Sequence, residues 1–169
     1  MTTTSLDKGK IKVLLLEGLD ASAIEAFRAD GYTSIETHRT ALAERELVER
    51  IRDAHVLGIR SRTKVPEAAL ARAEKLVAIG CFCIGTDQVD VEAARDRGVP
   101  VFNAPFSNTR SVAELVLGEI IMLCRGVPQR NAAAHRGAWM KSVGGSMEVR
   151  GKCLGIVGYG HIGTQIGIL

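Results

Sequence analysis

From residue 11 to residue 102 the chain alternates short apolar runs with stretches of helical periodicity, and a chain patterned in this way has few folds open to it. Ile11 to Leu16 is the first run of strand formers. Gly18 follows it, Ser22 can cap a helix from Ala23 to Ala29, and Gly31 can stop that helix. Ile35 to His38 offers a second strand, and Ala43 to Arg52 carries Leu47, Val48 and Ile51 at helical spacing. His55 to Ile59 reads as a third strand, Pro66 as the first-turn proline of a short helix, and Leu76 to Ile79 as a fourth strand. Asp90 can cap a helix from Val91 to Arg97 that Gly98 ends, ahead of a fifth strand from Val99 to Phe102. Strands that are apolar along their whole length are buried on both faces. The pattern therefore predicts an α/β domain, a parallel sheet with helices on both sides.

Beyond Pro105 the character changes. Ser111 to Arg125 is nearly continuous in apolar residues and predicts one long buried helix. Pro128 to Glu148 lacks strong periodicity, holds Gly137, Gly144 and Gly145, and reads as a connecting arm. Its Trp139, the single tryptophan, is either a core anchor or an interface anchor. Leu154 to Val157 predicts a further strand, which delivers Gly158-Tyr159-Gly160-His161-Ile162-Gly163.

In such a turn Gly158 permits the tight bend, Gly160 lets the backbone approach a pyrophosphate, and Gly163 lets the helix lie close on the strand. The free amides at the helix start favour phosphate. The motif has the required context of a preceding strand and a following helix. The alternative is a purely structural glycine turn. Six residues follow Gly163, so the acidic residue expected about 20 positions later falls past Leu169.

A second candidate is Arg60-Ser61-Arg62, directly after the third predicted strand, where open α/β sheets place their ligands. Two guanidinium groups and a hydroxyl can chelate a phosphate or carboxylate; the alternative is a solvated basic loop. Two more polar loops follow the next strands: Gly80 to Asp87, and Asn103 to Ser111 with Asn108 and Arg110. Three such loops at successive strand ends argue together for a ligand site.

Charge and cysteine content narrow the partners. A net charge of +3, with acidic and basic residues interspersed, makes no case for nucleic acid or an anionic membrane. No apolar run reaches the roughly 18 residues of a membrane span; the longest candidate, Val112 to Cys124, is interrupted by Glu114 and Glu119. Residues 1–9 are polar, lack a signal-peptide core, and read as a disordered tail. Cys81, Cys83, Cys124 and Cys153 show no zinc-ligand spacing and read as reduced thiols packed in a cytoplasmic protein's core, with no metal site.

Residues 80–90, 103–115 and 151–163 together resemble the D-2-hydroxyacid dehydrogenases, and the resemblance extends from about Lys8 to Leu169. It implies a flavodoxin-like substrate domain over 10–105, followed over 106–169 by the beginning of a Rossmann NAD-binding domain with an arm for a homodimer. That favours the interface reading of Trp139. Arg60-Ser61-Arg62 and the segment His135 to Trp139 are similar to bacterial members that oxidise 3-phosphoglycerate with NAD, the first step toward serine. The resemblance implies that Arg60, Ser61 and Arg62 hold substrate anions, that Ile84 and Asn108 lie beside the nicotinamide, and that Gly158, Gly160, His161, Ile162 and Gly163 meet the pyrophosphate. It places the family's catalytic arginine, glutamate and histidine beyond Leu169, so no catalytic base is expected among His38, His55, His135 and His161, and this length alone is expected to be inactive. Two alternatives stay open: a dehydrogenase of another 2-hydroxy acid such as glycerate, and a non-catalytic NAD-responsive binding module.

Overall fold

Five short strands pair side by side and all run in the same direction. They are β1 (Val13–Leu15), β2 (Ile35–Thr37), β3 (Val56–Ile59), β4 (Ala78–Cys81) and β5 (Val101–Asn103), in the spatial order β2-β1-β3-β4-β5. Val13 lies opposite Ile35 on one side and Val56 on the other, Val56 opposite Ala78, and Ile79 opposite Val101, so the carboxyl ends form one rim. The predicted parallel α/β sheet is what the chain forms. The computed structural model describes residues 6–169, which divide into a first unit ending at Pro105 and a second, Phe106–Leu169.

The first unit owes its stability to its strands. Val13, Leu14, Leu15, Leu57, Ile59 and Ile79 are all but inaccessible to solvent, and β1 is buried along its whole length. The helices α2 (Glu44–Ile51), α3 (Glu67–Leu70) and α4 (Val91–Asp96) add Leu47, Ile51, Leu70 and Ala94 to the same core. Each buried Leu or Ile contributes about 1.5–3 kcal/mol. Asp90 caps α4 by accepting from the Ala93 amide at 3.0 Å, and Gly31 and Gly98 follow their helices at positive φ.

Several expectations are corrected. Helix α1 (Ala21–Ala29) is capped by Asp20 rather than Ser22, because the Asp20 Oδ1 accepts from the Ser22 amide at 2.9 Å. β4 begins two residues later than its apolar run, since pairing with β3 sets its limits. The tail expected over 1–9 is shorter. Lys8–Lys10 form a 3-10 turn capped by Asp7, and Lys8 Nζ reaches Asp30 at 2.8 Å; residues 1–5 lie outside the described residues. Cys81 is buried, but Cys83 and Cys124 are only partly covered and Cys153 is exposed, so the thiols are not uniformly core residues.

The second unit contains α5 (Thr109–Arg125), α6 (Val127–His135) and α7 (His161–Ile168). Helix α6 takes up the first part of the segment read as a connecting arm without strong periodicity. Residues 154–157 form no strand, since the described residues of this unit provide no strand for them to pair with. Of α5 only Ala113 is buried, while Leu115, Ile121 and Leu123 face solvent, against the expectation of a buried helix. Its apolar residues outnumber the neighbours that α6 and α7 can offer. Trp139 is 84% exposed, which removes the core reading.

One ion cluster ties β2 to its surroundings. The Glu36 carboxylate receives Lys12 Nζ at 2.9 Å, Arg50 Nη1 at 2.6 Å and His38 Nε2 at 2.8 Å. Burial by itself would raise its pKa, but the His38 hydrogen bond and the charges of Lys12 and Arg50 outweigh it and hold it at about 2, below the ordinary 4.5. A carboxylate whose folded pKa is depressed stabilises fully above the unfolded value and loses that contribution as pH falls through the folded one. Glu36→Gln is therefore expected to lower stability at pH 7, with the deficit closing between about pH 4.5 and about pH 2. Denaturant titrations across that range check this; a deficit that stays constant would deny Glu36 the role.

Candidate functional site

In the order β2-β1-β3-β4-β5 the chain steps from β1 to one side and then returns to the other, so the switch point lies between β1 and β3. Loops leaving the carboxyl ends of strands at a switch point part and open a crevice. Here those loops begin with Glu17-Gly18 after β1 and Arg60-Ser61-Arg62 after β3.

Glu17 is the residue that the sequence reading missed. It is 3% exposed and has φ 65, the left-handed region that costs a side-chain-bearing residue on the order of 1–3 kcal/mol. Its Oε1 accepts from the amides of Thr63 at 2.8 Å and Arg60 at 3.1 Å, and its Oε2 from the amide of Arg62 at 3.0 Å. Burial pushes the carboxyl up, yet the donated amides of Thr63, Arg62 and Arg60 bring it below its ordinary range, so it stays ionised. An acidic residue ending an apolar strand was a visible signal in the sequence; its partners, 43 to 46 positions away, were not.

Two further side chains bind the rim together. Gln88, 3% exposed, donates from Nε2 to the Arg60 carbonyl at 2.9 Å and to Cys83 Sγ at 3.3 Å. Asn103, at the end of β5, donates from Nδ2 to the Ile84 carbonyl at 2.6 Å. The loops after β1, β3, β4 and β5 are thus hydrogen-bonded in series.

Of the residues singled out from sequence, Arg60, Ser61, Arg62 and Ile84 stand on this rim. Arg60 and Ser61 are exposed, and the Arg60 guanidinium has no hydrogen-bond or ion-pair partner among the described residues. The Arg62 side chain is 74% exposed, with Nε 3.8 Å from Glu17 Oε2. The rim therefore presents cationic, donor-rich side chains on a backbone held by a buried anion, an arrangement suited to an oxyanion ligand.

The remaining candidates belong to the second unit. Gly158 has φ 86, and Gly160 precedes α7. A Cβ on Gly160 would meet nothing within 4 Å, so the space over the turn is open, whereas one on Gly163 would lie 2.7 Å from the Gly158 carbonyl. His161 packs edge-on against Phe106, with ring centroids 4.5 Å apart, and Ile162 follows it in the first turn of α7. Asn108 precedes α5 without capping it through its side chain; its carbonyl accepts from Ser111 Oγ at 3.0 Å. The amides of the first helical turn lack intrahelical acceptors, so this end of α7 can receive a phosphate. No group of His, Cys, Asp or Glu among the described residues could hold a metal ion.

Residues 13–161 match the sequence family described as D-isomer specific 2-hydroxyacid dehydrogenase, catalytic domain. The chain is 64% identical over 169 residues to the D-3-phosphoglycerate dehydrogenase of Escherichia coli (strain K12), covering 100% of this chain and 41% of that protein. It is 61% identical over 165 residues to the protein of the same name from Haemophilus influenzae, covering 98% and 40%. The chain thus spans about two fifths of the length of these curated relatives. Among solved structures, the TT0316 protein of Thermus thermophilus superimposes with a TM-score of 0.82 at 30% identity, covering 94% of this chain and 52% of that one.

Gly163→Ala is expected to destabilise α7 by about 1–3 kcal/mol, because the new methyl meets backbone that cannot move aside freely. Gly160→Ala, which adds its methyl to open space, is expected to do so less. Amide hydrogen exchange within His161–Ile168 reads the difference; equal protection in the two variants would show that the close approach at Gly163 does not hold the turn.

Proposed function

The chain belongs to the D-isomer specific 2-hydroxyacid dehydrogenases, and we propose that it serves the NAD-dependent oxidation of 3-phosphoglycerate to 3-phosphohydroxypyruvate, the entry to serine synthesis. The observation that carries this reading is the rim at the β1/β3 switch point, where the exposed side chains of Arg60 and Arg62 flank Ser61. A substrate with a phosphate at one end and a carboxylate at the other calls for guanidinium groups, which match both oxyanions. The names carried by the 64% and 61% identical relatives point to the same substrate.

In this reading the unit ending at Pro105 is the substrate domain and Phe106–Leu169 is the start of the nucleotide domain. Arg60, Ser61 and Arg62 bind substrate anions. Ile84 and Asn108 flank the nicotinamide, and Gly158, Gly160, His161, Ile162 and Gly163 receive the pyrophosphate. The open space over Gly160 and the first-turn amides of α7 suit that group. Bound there, the nicotinamide would supply the hydride acceptor for oxidation at C2 of the substrate, whose hydroxyl proton would pass to a base.

No catalytic base is assigned within these residues. His38 is engaged by Glu36, His55 Nδ1 accepts from the Lys12 amide at 3.1 Å, His135 lies 2.9 Å from the Asn131 carbonyl, and His161 packs on Phe106. The exposed Leu115, Ile121 and Leu123 of α5, with Trp139, suit a homodimer made through the second unit. Among the described residues no helix is long and apolar enough to cross a membrane. The cytoplasm is the compartment we assign, as for a dehydrogenase of this family.

Calorimetric titration of 3-phosphoglycerate tests the substrate. Arg60→Ala removes a charge-assisted contact of about 1.5–3 kcal/mol, equivalent to roughly 10- to 150-fold in Kd, and should leave NAD affinity unchanged. Unchanged binding of 3-phosphoglycerate would return Arg60 to a solvated loop. Glycerate binding as tight as 3-phosphoglycerate would instead favour a dehydrogenase of another 2-hydroxy acid.

A further inference from the structure

Glu17 is a charged group of the rim that the binding reading leaves without a role. A buried carboxylate beside an anion-binding loop opposes the anion through its own charge, so its presence calls for a compensating contribution. The geometry supplies one. The amides of Arg60, Arg62 and Thr63 all turn inward to Glu17. The Ser61 amide lies between two of them and makes no hydrogen bond among the described residues, and its side chain is exposed. The Arg60 carbonyl is held from the other side by Gln88 at 2.9 Å. With peptides fixed on both sides of it, the Ser61 N–H remains available as a donor, flanked by the guanidinium groups of Arg60 and Arg62.

We propose that Glu17 is a positioning residue for the substrate: its carboxylate fixes the Arg60–Thr63 backbone so that the Ser61 N–H, with the side chains of Arg60 and Arg62, is presented to one anionic group. This rests on the assignment of Arg60, Ser61 and Arg62 to substrate binding. The same carboxylate, 3.8 Å from Arg62 Nε, also biases the direction of that guanidinium.

In Glu17→Gln one carboxylate oxygen becomes an NH2 group. The side chain keeps its shape but cannot accept from all three amides, since its new donor would face an amide donor. The full chain and its variants are titrated calorimetrically with 3-phosphoglycerate. Glu17→Gln is expected to raise Kd about 10- to 100-fold, the equivalent of losing one charge-assisted contact to the anion. Ile51→Val or Ile51→Ala, whichever matches its loss in Tm, changes the buried face of α2 and is expected to leave Kd unchanged. A merely structural Glu17 would behave as the Ile51 control does.

A second measurement needs no variant. In the parent chain the amides of Arg60, Arg62 and Thr63 should resist hydrogen exchange without ligand, whereas the Ser61 amide should become protected only when 3-phosphoglycerate binds. Binding by Glu17→Gln within about twofold of the parent overturns the proposal, as does a Ser61 amide indifferent to ligand. If Arg60→Ala leaves 3-phosphoglycerate binding intact, the substrate assignment itself has failed. If Arg60→Ala weakens binding and Glu17→Gln does not, only the positioning role has failed.

Discussion

Three backbone amides from one loop converge on the carboxylate of Glu17, and the loop has its shape because they do. Taking a charge out of water is tolerated only where donors replace the water it loses. Glu17 meets that condition with main chain rather than with a buried cation. The left-handed backbone at Glu17 belongs to the same arrangement, since it turns the chain at the end of β1 while Gly18 N donates to the His38 carbonyl at 2.9 Å. Loosening any of these contacts would leave an ionised group buried and short of partners, so the rim is held as a unit.

The sheet makes that arrangement possible. Its aligned register brings the ends of β1, β3, β4 and β5 level, which puts Glu17 within reach of residues 60–63 and Gln88 within reach of both Arg60 and Cys83. The apolar core beneath, from Leu14 and Leu57 to Ile59 and Ile79, gives these short polar bridges a floor that does not shift. Polar bonds of modest individual strength then become decisive for shape, because each joins loops already brought close by packing.

The order of strands and helices was legible because it is written in local periodicity: Leu47 and Ile51 mark the face of α2, and Asp90 and Gly98 bracket α4. What was lost depended on distant partners. The limits of β4 follow from its pairing with β3, and residues 154–157 lack a strand to pair with, so a β-forming composition produced no strand there. Helix α5 looked buried because hydrophobicity reports what a segment could cover, and it says nothing about what is present to cover it. Arg60 and Arg62 announced themselves as charges beside a strand end. Glu17 was a charge at a strand end too, but its partners, like that of Asn103 and most of those of Gln88, are peptide groups, which carry no letter in a sequence. Asp20 displaced Ser22 as the cap of α1 for a narrower reason: both residues suit a cap, and the one whose side chain reached the first free amide took the position.

With its Arg60, Arg62 and Thr63 amides turned inward, the rim separates the part that holds its form from the outward side chains to which we assign ligand selection. The frame is written in Glu17, Gln88, Asn103 and the main chain, while chemical preference is written in outward side chains that make few bonds to the frame. Under the proposed assignment, exchange of the Arg60 or Ser61 side chain would alter what is recognised without disturbing how the loop is built. Such a division lets a lineage diversify: new specificities can be sampled one side chain at a time on a scaffold that stays folded through each change.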